Sequence, residues 1–371
     1  MNLELQHLSL VNFKNYPQGE FDFAPGINCL TGANGSGKTN VLEAIYYLSY
    51  CRGYFNPQDS QNIRHGEEFF VIDSRFQKEG EESRVYCGVK RGQKKRFKKD
   101  DKEYQRLIDH VGAFPVVIIS PYDADLIREG SEMRRKFIDS VISQDNKRYL
   151  EALVQYNKCL SHRNNLLKYF WENRTRDDEQ LDLWSVRLAE FGAIIYEGRR
   201  QFMEKFTPLF KEFYGQISGH KEEVDLVYRS HLNEGDFLEQ LRANVDLDMR
   251  RSYTLVGLHK DDLRFQIDGH PVKKFGSQGQ QKSFLIALKL AQFSYVKEAK
   301  GLKPLLLLDD VFDKIDDARV TYLMKLVSDN TFGQIFITDT SAERLSRILG
   351  EVNVDFRSIP ITNLEPVHEP A

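Results

Sequence analysis

Cysteine is sparse in this 371-residue chain: Cys29, Cys51, Cys87 and Cys159 lie far apart, and no Cys-x-x-Cys pair occurs. That scatter argues against a disulfide framework and against a structural zinc site, and it points to a reducing compartment. Long hydrophobic runs are also missing. The longest, Val116–Ile119 and Leu305–Leu308, fall far short of the roughly 20 residues that span a bilayer. The opening MNLELQHLSL has no basic stretch leading into an apolar core, so no signal peptide is expected and the chain reads as soluble and cytosolic. Neither sign of charge dominates, since 52 basic residues face 55 acidic ones for a net charge of -3. That balance excludes a histone-like coat held on by bulk charge but leaves room for a local basic patch. Tryptophan is scarce too, yet 25 Phe and 17 Tyr within a hydrophobic fraction of 41% supply an ample core, so general disorder is excluded.

The pattern along the chain changes twice. Residues 3–12, with Leu3, Leu5, Leu8 and Leu10, read as a strand, as do Ile27–Thr31, 69–77, 84–91 and Val116–Ile119. Asn40–Tyr50 reads as a helix opening after a Gly-rich turn. From about Ser131 to Ile217 the steps of the pattern become three and four, most clearly along Leu181, Trp184, Leu188, Phe191, Ile195, Gly198, Phe202, Phe206, Leu209 and Phe213. The polar stretch Glu172–Glu179 divides this region into an antiparallel helical hairpin, either the core of a helical subdomain or an interaction arm. Strands then return at Leu263–Ile267, Leu305–Leu308, Gln334–Thr338 and Val354–Ile359. Helices are expected at Gln280–Ala299, near Arg319–Val327 and near Ala342–Leu349. The expectation is an α/β protein with residues 1–120 and 256–371 forming one core and 121–255 inserted as a helical domain.

Gly32-Ala33-Asn34-Gly35-Ser36-Gly37-Lys38-Thr39, followed by Asn40, fits G-x-x-x-x-G-K-[ST] between a strand and a helix. Glycines let the backbone wrap a phosphate, and the helix start adds a positive pole. Lys38 reaches the β- and γ-phosphates, and the Thr39 hydroxyl is a Mg²⁺ ligand. Such a loop needs a carboxylate at the end of a buried strand; Leu305–Leu308 followed by Asp309 and Asp310 supplies it. Asp309 is the expected metal residue and Asp310 the acid beside an attacking water, with Lys38 the second catalytic candidate. Lys38 and Asp309 are 271 positions apart, far wider than in a simple nucleotide kinase.

Ser277-Gln278-Gly279-Gln280, 32 positions before Asp309 and at the start of a helix, is similar to the signature motif of ABC-type ATPases. By itself such a run is also an ordinary helix cap. Asp313–Asp316 matches the D-loop of the same class. Across the chain, Asn12–Tyr16, Arg134-Arg135-Lys136-Phe137-Ile138-Asp139, Gly257–Asp262 and Ser277–Lys282 together resemble the RecF family, bacterial recombination-mediator ATPases related to SMC proteins. The resemblance implies an ABC-type P-loop ATPase head with an inserted helical lid. It further implies ATP and Mg²⁺ as cofactors, and dimerisation in which Ser277–Gln280 of one copy meet the γ-phosphate held by the other. DNA at gaps and single-strand/double-strand junctions, RecR and RecO are the implied partners. Recombinase loading, replication and the SOS response are the implied roles, with slow DNA-dependent ATP hydrolysis as a reset.

Departures from the pattern are informative. Leu258 stands where the family often has Pro, and Asn56 where Arg is common. Asp339 occupies the place of the transporter switch histidine, no Q-loop glutamine is evident near Val116–Asp123, and Asp310 replaces the longer Glu of ABC relatives. Slow turnover is therefore expected. For DNA, Lys90, Arg91, Lys94, Lys95, Arg96, Lys98 and Lys99 put seven cations in ten positions. They form either a phosphate-binding edge or a solvated hairpin. Arg199, Arg200, Lys205 and Lys211 are a second candidate. His259 reads as a structural hydrogen-bonder. A transporter subunit, a small-molecule kinase and a nuclease compete less well, because the first lacks the Asn12–Tyr16 motif and the second needs no Ser277 element. The third would need carboxylates beyond the nucleotide site.

Overall fold

The computed structural model describes residues 2–311, 331–351 and 354–362, with isolated positions at 320, 322 and 326. The expected D-loop at Asp313–Asp316 and most of the helix expected near Arg319–Val327 lie outside the described residues. Two compact units are present, one made of residues 1–123 and 292–371 and the other of residues 124–291.

Among the described residues the first unit has two sheets. A six-stranded antiparallel sheet has the order Tyr16–Asp22, Leu3–Phe13, Phe69–Lys78, Glu81–Lys90, Arg96–Lys99, Lys102–Glu103. Leu3 and Leu5 alternate in one phase, Leu8 and Leu10 in the other, yet all four are buried. A register shift between Leu5 and His7 reconciles the phases: one extra residue turns the later leucines back to the core. A five-stranded parallel sheet runs Phe356–Pro360, Ile27–Thr31, Ile335–Asp339, Leu305–Leu308, Val116–Ile119. Its three central strands are buried at every position, as a sheet covered on both faces requires. The helix Lys38–Tyr50 packs against both sheets and buries almost its whole circumference, with Tyr47 edge-on to Phe13 and Phe70.

The second unit is built on the helices Ser131–Asp145, Lys147–Asn173 and Asp178–Ser218. Asn146 caps the second and Asp177 the third, each accepting a backbone N–H three residues on. Leu181, Leu188, Ile195, Phe202, Phe206, Phe210 and Tyr214 form the buried stripe of the long helix. Arg199 lies within that stripe, 2% exposed, and bonds Asp139 and Asp261 at 2.9 and 2.7 Å. It is therefore an internal tie between family motifs, not a surface cation. Arg200 is held by Glu197 and Glu204, and Lys211 by Asp225.

Residues 256–291 were expected to return to the core but pack within the second unit. The physical reason is pairing. Asp262–Ile267 lies antiparallel to Val224–Arg229, a strand that the helical periodicity before it hides. At the start of the helix Gln278–Lys300, Phe284 packs on Phe210, Phe265 and Tyr214.

Candidate nucleotide-binding site

The Gly-rich loop leaves the C-terminal end of Ile27–Thr31, where parallel strands present ligand sites. Gly35 and Gly37 adopt φ of 81° and 110°, the left-handed region that glycine enters without strain. At Gly37 a Cβ would sit 2.7–2.8 Å from the Asn15 amide and the Tyr16 hydroxyl. Those two residues clamp the loop: the Asn15 amide donates to the Ser36 carbonyl at 3.1 Å and Tyr16 Oη to the Gly37 carbonyl at 3.2 Å. Asn40 in turn donates to Asn15 at 2.7 Å. Lys38 Nζ folds into the loop and donates to the carbonyls of Gly32 and Ala33 at 2.8 and 2.9 Å. Ser36 Oγ is buried without a hydrogen-bond partner among the described residues. A cradle with an inward ammonium group and an orphaned hydroxyl fits a polyphosphate.

Asp309 reaches the same place from the end of Leu305–Leu308, with Ile335–Asp339 lying between that strand and Ile27–Thr31. Thr39 Oγ1 donates to its carboxylate at 2.8 Å, Thr338 Oγ1 at 3.0 Å and Ser120 Oγ at 3.4 Å. Burial pushes the Asp309 carboxyl above the ordinary range, against the opposing pull of the Thr39 and Thr338 hydrogen bonds. A buried carboxylate beside a threonine hydroxyl is a donor set suited to Mg²⁺. Asp310 has φ of 47°, and its N–H donates to Thr338 Oγ1 at 2.8 Å. Asp339 is engaged by Arg344 at 2.6 Å and by the Ser341 N–H.

The Ser277 turn belongs to the second unit. Ser277 N–H donates to Gln280 Oε1 at 2.6 Å while Gln280 N–H donates to Ser277 Oγ at 3.2 Å, a reciprocal capping box. Ser277 and Gln278 remain exposed. The capping turn and the signature-like turn are thus the same feature. His259 is held by Tyr156 and by the Thr254 carbonyl, and burial pushes its pKa down to about 4. That geometry is structural.

The family model described as the RecF/RecN/SMC N terminal domain matches residues 4–358. The DNA replication and repair protein RecF of Flavobacterium johnsoniae is 52% identical over 96% of this chain and 99% of its own length. The chain belongs to the RecF family. RecF of Phocaeicola vulgatus is 48% identical over 97% of both chains. Among solved structures, the recombination mediator RecF of the RecFOR pathway bound to ATP superposes with a TM-score of 0.85 at 33% identity, covering 92% of each chain. The Smc head domain of Pyrococcus furiosus shares the fold, with a TM-score of 0.56 at 16% identity over 97% of this chain and 94% of that one. The ABC-type ATPase fold expected from the motifs is therefore the fold observed.

Within this RecF-family chain the basic hairpin needs one correction. Lys95 does not face solvent: its Nζ contacts Tyr47 Oη, the Cys51 carbonyl and Asp59 at 2.7, 2.6 and 2.9 Å. Lys94 and Arg96 are exposed; Lys98 lies over the Tyr86 ring and Lys99 pairs with Asp100. Sequence reasoning also missed Ser120, Thr338 and Glu43. The first two were findable, because Ser120 and Thr338 each directly follow a strand residue, Ile119 and Ile337, that is a register partner of Leu308 beside Asp309. Glu43 is buried in the P-loop helix and accepts the N–H groups of Tyr54, Phe55 and Asn56, so it fixes the loop that carries Asn56.

Proposed function

We propose that this chain is an ATP-dependent DNA-binding protein of replication and recombinational repair that dimerises around nucleotide. The observation that carries the reading is the exposed Ser277 turn at a helix start, in a chain that also holds a complete phosphate and metal donor set.

Gly32 to Asn40 hold the phosphates of ATP, with Lys38 neutralising the β- and γ-oxygens. Thr39 and Asp309 hold Mg²⁺, which when bound neutralises charge on the phosphate oxygens. Asp310 accepts a proton from the attacking water, and its short side chain keeps hydrolysis slow, as a reset. Ser277, Gln278, Gly279 and Gln280 contact the nucleotide of a second copy through the positive pole of their helix. Lys94, Arg96, Lys98 and Lys99 contact DNA phosphates at gaps and single-strand/double-strand junctions. RecR and RecO are the partners, recombinase loading past single-strand-binding protein and support of the SOS response the roles, and the cytoplasm the location. No described helix is long and apolar enough to cross a membrane.

Titrating a labelled gapped duplex with and without ATP tests the reading, alongside sedimentation with a non-hydrolysable analogue and Mg²⁺. Tighter DNA binding with ATP and doubled mass with the analogue are expected. DNA affinity indifferent to nucleotide, with mass unchanged, refutes it.

A further inference from the structure

Ser277 is set by a hydrogen-bond chain that begins at the end of the longest helix. Tyr214 Oη, in the last turns of Asp178–Ser218, donates to one oxygen of Glu222. The other Glu222 oxygen accepts from Gln280 Nε2 at 2.8 Å. A carboxylate only accepts, so it draws the amide nitrogen of Gln280 and leaves Oε1 for the Ser277 N–H. Gln280 N–H then occupies the Ser277 oxygen. Neither bond uses the hydroxyl hydrogen of exposed Ser277, which leaves it as a donor for an incoming anion. Without Glu222 the Gln280 amide loses its anchor, and a flipped amide would set Nε2 against the Ser277 N–H, donor against donor, and undo the capping box that fixes the turn.

We propose that Glu222 is a positioning residue that presets the Ser277 turn for the triphosphate held by a second copy of the chain. The inference rests on the reading of Ser277 as a trans nucleotide contact. It adds that the strength of this contact is controlled from outside the motif, through the C-terminal turns of the long helix.

The test is sedimentation of the full chain with a non-hydrolysable ATP analogue and Mg²⁺, together with analogue binding at protein concentrations too low for dimers. Glu222→Ala should raise the dimer dissociation constant about tenfold, the effect of one charge-assisted hydrogen bond, with unchanged analogue affinity of the monomer. Glu222→Gln keeps an acceptor for Gln280 and should stay near wild type. Normal dimerisation of Glu222→Ala while Ser277→Arg stays monomeric overturns the inference and spares the trans reading. If Ser277→Arg also dimerises, the reading fails and the inference falls with it. Should Glu222→Ala not fold, Glu222→Met, of similar volume, takes its place, and normal dimerisation of Glu222→Met while Ser277→Arg stays monomeric overturns the inference.

Discussion

Replacing Lys95 by Met separates an internal tie from a DNA contact. The Lys95 side chain is 11% exposed and that of Asp59 is 33% exposed. Met fills a similar volume but leaves the Cys51 carbonyl and the Asp59 carboxylate without their cation, and removes the charge lying 4.8 Å from the Tyr47 ring centroid. Removing one partner of a fully buried pair costs about 3–5 kcal/mol; with Asp59 partly hydrated, about 2–3 kcal/mol is expected. For a unit of this size that lowers Tm by roughly 5–10 °C, which calorimetry resolves. DNA affinity and its salt dependence should barely change. Arg96→Ala should do the reverse: unchanged Tm and a salt slope shallower by about 0.9 for each phosphate no longer neutralised. A Lys95→Met protein with wild-type Tm and a reduced salt slope refutes the assignment.

Lys38→Arg should still bind nucleotide but hydrolyse it poorly, because a planar fork cannot occupy the space Nζ shares with the Gly32 and Ala33 carbonyls; single-turnover hydrolysis checks this. Acid should weaken the fold through His110, fully buried with Nε2 on the Leu48 carbonyl and its pKa pushed down to about 4. The unfolded chain takes up that proton near 6.5, so this stability is complete above pH 6.5 and is lost as pH falls towards 4. It amounts to on the order of 3 kcal/mol, and urea titrations at pH 7 and 5 should show the drop, while a flat profile contradicts it. Mg²⁺-dependent nucleotide binding should weaken in acid earlier than an ordinary carboxylate dictates, since burial raises Asp309 and the cation must displace its proton. Asp309→Asn, compared by isothermal titration across pH, should abolish that dependence.

Elements with a strong local period were legible in the sequence. The strand Ile27–Thr31, the turn into the Lys38 helix, Leu305–Leu308 and the long helix lie where pattern and glycine spacing put them. Val224–Arg229 was not legible, because its burial comes from pairing with a strand some forty residues on. Tyr16–Asp22 was also missed: its Gly19 and polar neighbours carry no strand signal apart from pairing with Leu3–Phe13. Charge clusters misled for a related reason. Composition shows that Lys95 and Arg199 are cations, but only packing shows that one reaches Asp59 and the other Asp139 and Asp261. Lys38 and Asp309 could be matched across the whole insertion because phosphate and metal chemistry restrict which residue types serve.

The parallel sheet also sets a schedule for synthesis. Its two earliest strands, Ile27–Thr31 and Val116–Ile119, are not neighbours; among the described residues each pairs with strands beginning at Leu305 or later. At ribosomal speeds of about 5–20 residues per second, these apolar edges wait roughly 10–60 s for a mate. The helical unit, whose pairings close by residue 291, is complete on the nascent chain first. Stalled or truncated translation products should therefore be sticky in their first 120 or so residues, and a holdase that shields them should raise the yield of active protein more than one acting after release.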